Sequence, residues 1–290
     1  MRRAPHSLEG RRVLVTGAAR GIGAALARRL HASGARVALA GLEPDRLATV
    51  ARECGDAPWS SCDVRDRRAV DAVVGALVSD LGGLDVVVAN AGVAAQLPII
   101  GGNPEIFDQT IQVNLLGAYY TLRAAGSHLA HPQGYALAVG SLGGAVHLPL
   151  MGAYAASKAG VEALANSLRA ELRPAGARVG VAYFAELDTD MTRRGFGTKA
   201  ARAAGRNGAI SGVAPLEPAI DALVRGITRR ARIIASPWWV RPLLPLRALV
   251  QRGAEVALRT RFERAVEVAR TEEPTMTTTQ PPSPVSVFDR

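Results

Sequence analysis

Arg11-Arg12-Val13-Leu14-Val15-Thr16-Gly17-Ala18-Ala19-Arg20-Gly21-Ile22-Gly23 is the stretch on which the fold turns. Its first six residues, with an unbroken Val-Leu-Val centre, read as a buried strand. Gly17, Gly21 and Gly23 follow at once, and Ala24 to Leu30 is a run of good helix formers. Strand, glycine turn and helix in that order make a cradle for a pyrophosphate. The glycines allow a tight turn and close backbone approach, and the helix start offers unpaired N–H groups and the positive end of its dipole. The spacing is Gly-x-x-x-Gly-x-Gly, so the flanking strand and helix carry the reading more than the glycines do.

From that turn outward, strands and helices alternate. Further strands are predicted at Arg36 to Ala40, Ala57 to Ser61, Leu84 to Ala89, Tyr135 to Val139, Arg178 to Tyr183 and Arg232 to Ala235. Helices are predicted from Asp66 to Leu81, Asn103 to about Leu129, Met151 to Leu172, Pro215 to Thr228 and Ala254 to Ala269. This order predicts an α/β fold with a doubly wound parallel sheet. At 290 residues and 48% hydrophobic content the chain can bury one large core. Aromatic residues make up only 4%, so that core rests on Val, Leu, Ile and Ala. Cys54 and Cys62 provide neither a disulfide framework nor metal-ligand spacing; both read as buried thiols, and no metal is expected.

The net charge is +10, and residues 191 to 270 hold sixteen Lys or Arg against five Asp or Glu. No helix-turn-helix, zinc-finger or RNA-binding signature accompanies the excess, so no nucleic-acid partner is expected. Met1 to Gly10 has arginines without an apolar segment behind them, and no run of about 18 apolar residues occurs. Neither a secretory signal nor a spanning helix is expected, which points to the cytoplasm. The last twenty residues, with four prolines and many threonines, are expected to be disordered.

Tyr154-Ala155-Ala156-Ser157-Lys158 places a phenol and an amine four residues apart, on one face of the helix from Met151. A phenol with a pKa of about 10 is a poor acid-base near neutrality, and a neighbouring cation makes its proton more available. The chain has 33 arginines and only two lysines, Lys158 and Lys199, so a lysine at this spacing is not casual. Ser141, thirteen residues before Tyr154 at the end of a strand, is placed to hold a carbonyl oxygen. Asn114 sits in an apolar helical stretch, where its amide either kinks the helix and holds a water or serves a purely structural network. Asp63, at a strand end, either meets an adenine amine or caps the helix from Asp66. Asn90-Ala91-Gly92 ends another strand with a small-residue turn beside which a cofactor can pass. At the end of the second strand stand Gly41-Leu42-Glu43. Glu43 reaches a ribose or caps the next helix, and Arg20 meets a 2′-phosphate or faces water, so NAD and NADP both remain open.

Thr16-Gly17-x-x-x-Gly21-Ile22-Gly23, Asp63, Asn90-Ala91-Gly92, Asn114, Ser141 and Tyr154-x-x-x-Lys158, in this order and spacing, resemble the classical short-chain dehydrogenase/reductase family over roughly residues 9 to 236. The resemblance implies a three-layer Rossmann fold with a seven-stranded parallel sheet, assembled as a homodimer or homotetramer. It implies an NAD(P)-dependent oxidoreductase passing a hydride between nicotinamide and an alcohol/carbonyl group of a small molecule. Tyr154 would be the general acid/base, Lys158 would lower its pKa and hold the nicotinamide ribose, and Ser141 would hold the substrate oxygen. Asn114 would anchor a relay water. Thr16, Gly17, Arg20, Gly21, Ile22, Gly23, Glu43, Asp63, Val64, Asn90, Ala91, Gly92 and Thr189 complete the expected cofactor-binding set. The chain departs from the family where a Pro-Gly pair usually follows the sixth strand: Phe184-Ala185 stands there instead. That changes how the backbone can turn.

The expected organisation is a catalytic domain at 1–236 with a substrate lid at about 186–214, a basic amphipathic helical extension at 237–270, and a disordered tail at 271–290. Glu186, Asp188 and Asp190 form a local acidic patch that senses a polar substrate, pairs with Arg193 and Arg194, or is solvated. Leu148, Leu150, Met151 and the Leu/Trp-rich extension argue for an apolar substrate. Trp238 and Trp239 cover the cleft, pack on a partner subunit, or give 237–250 a peripheral membrane contact. Two other readings stand beside the oxidoreductase: a noncatalytic cofactor-sensing or scaffold protein, and a dehydratase or epimerase using the same Tyr/Lys pair.

Overall fold

Val13, Leu14 and Val15 are fully buried because β1 (Arg12–Thr16) lies at the centre of a parallel sheet. The computed structural model describes residues 7–195, 198–204, 212–272 and 276–277. In it β2 (Arg36–Gly41) and β3 (Trp59–Ser61) lie on one side of β1. On the other side follow β4 (Val86–Ala89), β5 (Tyr135–Val139), β6 (Arg178–Phe184) and β7 (Ile233–Ser236). All pairings are parallel, and the order reverses between β1 and β4. In such a sheet the crevice for a ligand opens at that reversal, beyond the carboxyl ends of the strands.

Both faces of the sheet are covered, which is why its strands read as continuous apolar runs. Leu26 and Leu30 of α1 (Gly21–Ala32) and Ile220 and Leu223 of α9 (Leu216–Arg229) bury against one face, with α2 (Pro44–Glu53) beside them. Leu77 and Leu81 of α3 (Arg67–Leu81), Leu122 of α5 (Gly117–Gly126) and Val161 of α6 (Gly152–Leu172) bury against the other. At the amino end, Asp85 ties β1 to β4 by accepting from the Arg12 backbone N–H at 3.0 Å and guanidinium at 2.8 Å. Burial alone would raise the Asp85 carboxyl; the Arg12 hydrogen bonds outweigh it and hold the group below the usual carboxylate range.

The structure redraws several sequence expectations. Asp66, not Asp63, caps α3, accepting from Arg68 N at 2.8 Å and Ala69 N at 3.2 Å. The predicted helix from Asn103 is interrupted: α4 (Pro104–Ile111) passes through a π-helical turn at Gln112–Leu116 into α5. Asn114 sits in that wider turn, a feature that often marks functional positions. After the short α10 (Val240–Leu243), the helix expected at 254–269 is two, α11 (Arg247–Ala257) and α12 (Arg259–Ala269), parted at Leu258. The break lets Leu258 face the cleft while Phe262, Ala265 and Ala269 bury against Leu150 and against Ala200 of α8 (Lys199–Ala204).

Phe184 is buried and carries the β6–β7 ladder to Ser236, whose carbonyl then accepts from Ala185 N at 3.1 Å. The 186–214 segment is clasped at its base by Asp188 N to Ala214 O and Ala214 N to Glu186 O, both 2.8 Å. Two short helices follow that base, α7 (Asp190–Gly195) and α8; residues 196–197 and 205–211 lie outside the described ones. In the tail expected to be disordered, Met276 and Thr277 are placed, and Thr277 is buried; the rest beyond Glu272 lies outside the described residues.

Candidate active site

The crevice at the strand reversal holds a cavity of about 430 Å³. Its floor is the glycine turn. Gly17 has φ +66°, and a Cβ there would lie 2.8 Å from Ala91 Cα, so only glycine lets the β1 turn pack on the β4 turn. Gly23 is as crowded: a Cβ would meet Gly17 O at 2.2 Å and Asn90 Nδ2 at 2.7 Å. Gly21 is the opposite case, with open space where a Cβ would project. Asn90 ties the two strand ends, donating from Nδ2 to Thr16 O at 2.9 Å and Gly17 O at 3.3 Å and from its N–H to Thr16 Oγ1 at 3.1 Å. The α1 N-terminus above this clasp has no side-chain cap, so its N–H groups stay available to an anion.

Arg20 stands over this floor. Its Nε lies 3.6 Å from Glu43 Oε2, and its Nη2 donates to Thr277 O at 3.3 Å. Its Nη1 is buried with no hydrogen-bond partner among the described residues. A buried guanidinium nitrogen left unpaired is costly, and an anionic group in the crevice would satisfy it. An open Gly21, an uncapped helix start and this orphaned donor together fit the phosphates of a dinucleotide. Asp63, freed from capping, instead holds Arg65: Oδ2 accepts from Nη2 at 2.9 Å and from Nε at 3.0 Å. Val64 lines the cleft and packs against Gly117, leaving no room for a side chain there.

Deeper in the crevice, β5 delivers Ser141 and α6 delivers Tyr154 and Lys158. Ser141 Oγ accepts from Gly143 N at 3.0 Å, and Ser141 and Tyr154 both border Gly143. Lys158 is buried, donates from Nζ to Val139 O at 2.8 Å, and lies 5.8 Å from the centre of the Tyr154 ring. Gly92 borders both Lys158 and Asn114; a Cβ there would meet Asn114 Oδ1 at 3.3 Å and Lys158 Nζ at 3.4 Å. The electrostatics depart from expectation. Burial pushes the Tyr154 phenol up, with only partial relief from neighbouring Ser141, and burial pushes Lys158 down to about 8. In both groups desolvation is the largest cause of the shift.

Asn114 is fully buried and its amide is spent. Oδ1 accepts from Val93 N at 2.7 Å, while Nδ2 donates to Val93 O at 2.9 Å and Ser157 Oγ at 3.0 Å. Ser157 in turn donates to Tyr154 O at 2.7 Å. Sequence reasoning passed over Ser157, although it stands inside the Tyr154-to-Lys158 stretch, because a hydroxyl partner for Asn114 shows only when the helices meet. Thr189 Oγ1 lies 3.3 Å from Thr192 Oγ1, and both residues line the cleft. Asp188 is paired with Arg193 at 2.9 Å, which favours the ion-pair reading of the acidic patch. Trp239, Leu258 and Phe262 from the extension join Leu148, Leu150 and Met151 as an apolar wall.

A family model described as short chain dehydrogenase matches residues 11–210. The 3-oxoacyl-acyl-carrier-protein reductase MabA of Mycobacterium tuberculosis is 37% identical over 188 residues, covering 63% of this chain and 72% of that protein. An uncharacterised oxidoreductase of the same organism is 30% identical over 243 residues, covering 81% of this chain and 90% of the other. Among solved structures, a putative short-chain alcohol dehydrogenase from Sinorhizobium meliloti superposes with a TM-score of 0.68 at 26% identity, covering 80% of this chain and 96% of its own.

The buried amine makes a prediction about stability. Lys158 has a pKa of about 8 in the fold and about 10.4 in an unfolded chain, so it binds its proton less well when folded. Its cost is fully present below pH 8 and fades as pH rises to about 10.4. The unfolding free energy of the wild type, relative to Lys158→Met, should therefore rise by about 3 kcal/mol across that window in denaturant titrations. A pH-independent difference would place the ammonium in water.

Proposed function

The chain belongs to the short-chain dehydrogenase family and is an NAD(P)-dependent oxidoreductase, and on that premise we propose that Tyr154 is the general acid/base acting on an alcohol/carbonyl pair in an apolar molecule. The observation that carries this reading is the meeting of Tyr154 and Ser141 in the cleft beyond the carboxyl end of β5, both bordering Gly143, with buried Lys158 behind them. A bound nicotinamide supplies the hydride exchange. Ser141 holds the substrate oxygen, and Tyr154 gives its hydroxyl proton to that oxygen in reduction or takes it in oxidation. With the phenol raised by burial, Tyr154 is protonated at neutral pH, so the resting site is ready to donate. Lys158, held by Val139 O, keeps a cation in reach of the ring. Asn114 positions Val93 and Ser157, and through Ser157 the backbone of Tyr154. With the Asn114 amide spent, a relay water is assigned to the main chain of the widened turn around Asn114.

Gly17, Gly21, Ile22 and Gly23 with Asn90, Ala91 and Gly92 form the proposed dinucleotide cradle, Arg20 and Glu43 face its adenosine ribose, Asp63 and Val64 border the adenine, and Thr189 the nicotinamide end. The apolar wall built from Leu148, Leu150, Met151, Trp239, Leu258 and Phe262 supports an apolar substrate. Stoichiometric consumption of the reduced dinucleotide separates this reaction from a dehydratase or epimerase, in which the hydride returns to the product.

Tyr154→Phe should lower kcat by about a thousandfold while the dinucleotide dissociation constant changes by less than about threefold. Full activity in that variant overturns the assignment. Glu43 draws Arg20 toward itself and would repel a 2′-phosphate, so Glu43→Gln should shift the NADPH/NADH affinity ratio toward NADPH by about tenfold in fluorescence titrations. Thr277 takes Arg20 Nη2 and joins Ala94 through a 2.8 Å bond to its Oγ1 and a 3.1 Å bond from its N–H. Removing residues 271–290 should therefore tighten dinucleotide binding in the same titration, and weaker binding would make the tail part of the cradle.

A further inference from the structure

α11 is held along one side and bare along the other. On the held side, Arg247 pairs with Glu162 at 3.0 Å. Gln251 clamps the His147 backbone, accepting from its N–H at 2.7 Å and donating to its carbonyl at 2.9 Å. Ala254 and Leu258 on that side line the cleft. Steps of three and four place Leu246, Leu249, Gly253 and Val256 together on the opposite side. Leu249 is 66% exposed and Val256 81%, and no residue of α11 is buried. An apolar stripe that faces away from a helix's own fold calls for another surface to cover it.

We propose that this outer face of α11 docks on an anionic lipid bilayer. Charge selects that occupant. Residues 237–270 hold seven arginines and three glutamates, a net +4 on a chain whose total is +10. Arg241 and Arg252 are exposed with no ion pair among the described residues, and Arg252 flanks the stripe one residue before Gly253. A second copy would bring like charge against like. An anionic membrane surface meets both halves of the pattern, taking the leucine and valine side chains among its acyl chains and the guanidinium groups at its headgroups. Trp238, 81% exposed in the segment leading to α11, is suited to the same interface. No helix among the described residues is long and apolar enough to cross a membrane, so the contact lies in the plane of the surface. The inner side of the docked helix walls the cleft. Resting on the apolar-substrate reading, this places the cleft mouth where a membrane-dissolved alcohol or ketone could enter.

Vesicle flotation of the full-length protein tests the proposal, using phosphatidylcholine alone and phosphatidylcholine mixed with phosphatidylglycerol. Binding should need phosphatidylglycerol, and it should fall by about tenfold or more in Leu249→Ser/Val256→Ser and in Arg241→Gln/Arg252→Gln, with the second variant also losing salt sensitivity. Circular dichroism and turnover of a water-soluble test ketone should match wild type in both variants, because these side chains lie outside the cleft. No binding, equal binding to neutral vesicles, or wild-type binding by the leucine/valine variant overturns the proposal. A wild-type dimer in light scattering that the leucine/valine variant dissolves also overturns it, in favour of a second copy. Flotation is blind to turnover, so an inactive protein that still binds vesicles would count against the oxidoreductase mechanism alone.

Discussion

The clasp between the end of β1 and the end of β4 is the contact on which the rest of the molecule depends. Asn90 reaches across the strand reversal to two carbonyls of the glycine turn, and Gly17 and Gly23 have no side chain that would hold them apart. A single added methyl at either glycine would push into backbone atoms or into the Asn90 amide itself. Because the clasp closes the floor this tightly, the crevice opens above it, and the α1 N-terminus and Arg20 are left facing that space. Strand order, site position and anion-binding chemistry therefore follow from one close approach.

The second constraint is the desolvation of two titratable groups side by side. Tyr154 and Lys158 share a helix face, but sharing a face does not determine which group perturbs the other more. In water an amine would help a neighbouring phenol to ionise. Here desolvation penalises both charges, and the phenol stays protonated while the amine weakens as a base. The surrounding polar groups are positioned by main-chain partners: Val139 for Lys158, Val93 for Asn114 and Gly143 for Ser141. Such backbone supports hold rotamers without adding further charge to the cleft.

The C-terminal extension ties the cleft to the outer surface. α12 buries against α8, and Glu272 accepts from the N–H groups of Lys199 and Ala200 at 2.7 and 2.9 Å, so the two helices form one packed unit beside the cleft. Trp239 turns inward to line the cleft while its neighbour Trp238 stays in solvent. Adjacent tryptophans thus contribute to opposite sides of the same wall.

The alternating pattern from Arg11 to Ala235 was enough to establish the parallel sheet, to place the glycine turn and Ser141 at the carboxyl ends of strands, and to put Tyr154 in the first turn of a helix. Apolar periodicity and glycine spacing are local signals, and a buried parallel sheet preserves them. The chain family was legible for the same reason: its signature residues lie at element ends, where spacing is set by the elements themselves. What tertiary structure decided was every relation between distant segments. Asp66 took the cap because the backbone after β3 turns there, and Asp63 then turned to Arg65. Asn114 spent its amide on Val93 and Ser157, Leu258 broke a helix to face the cleft, and Thr277 came back to Arg20. None of these is written in a periodicity, because each depends on which polar group finds a partner, and which apolar group finds cover, once water has been excluded.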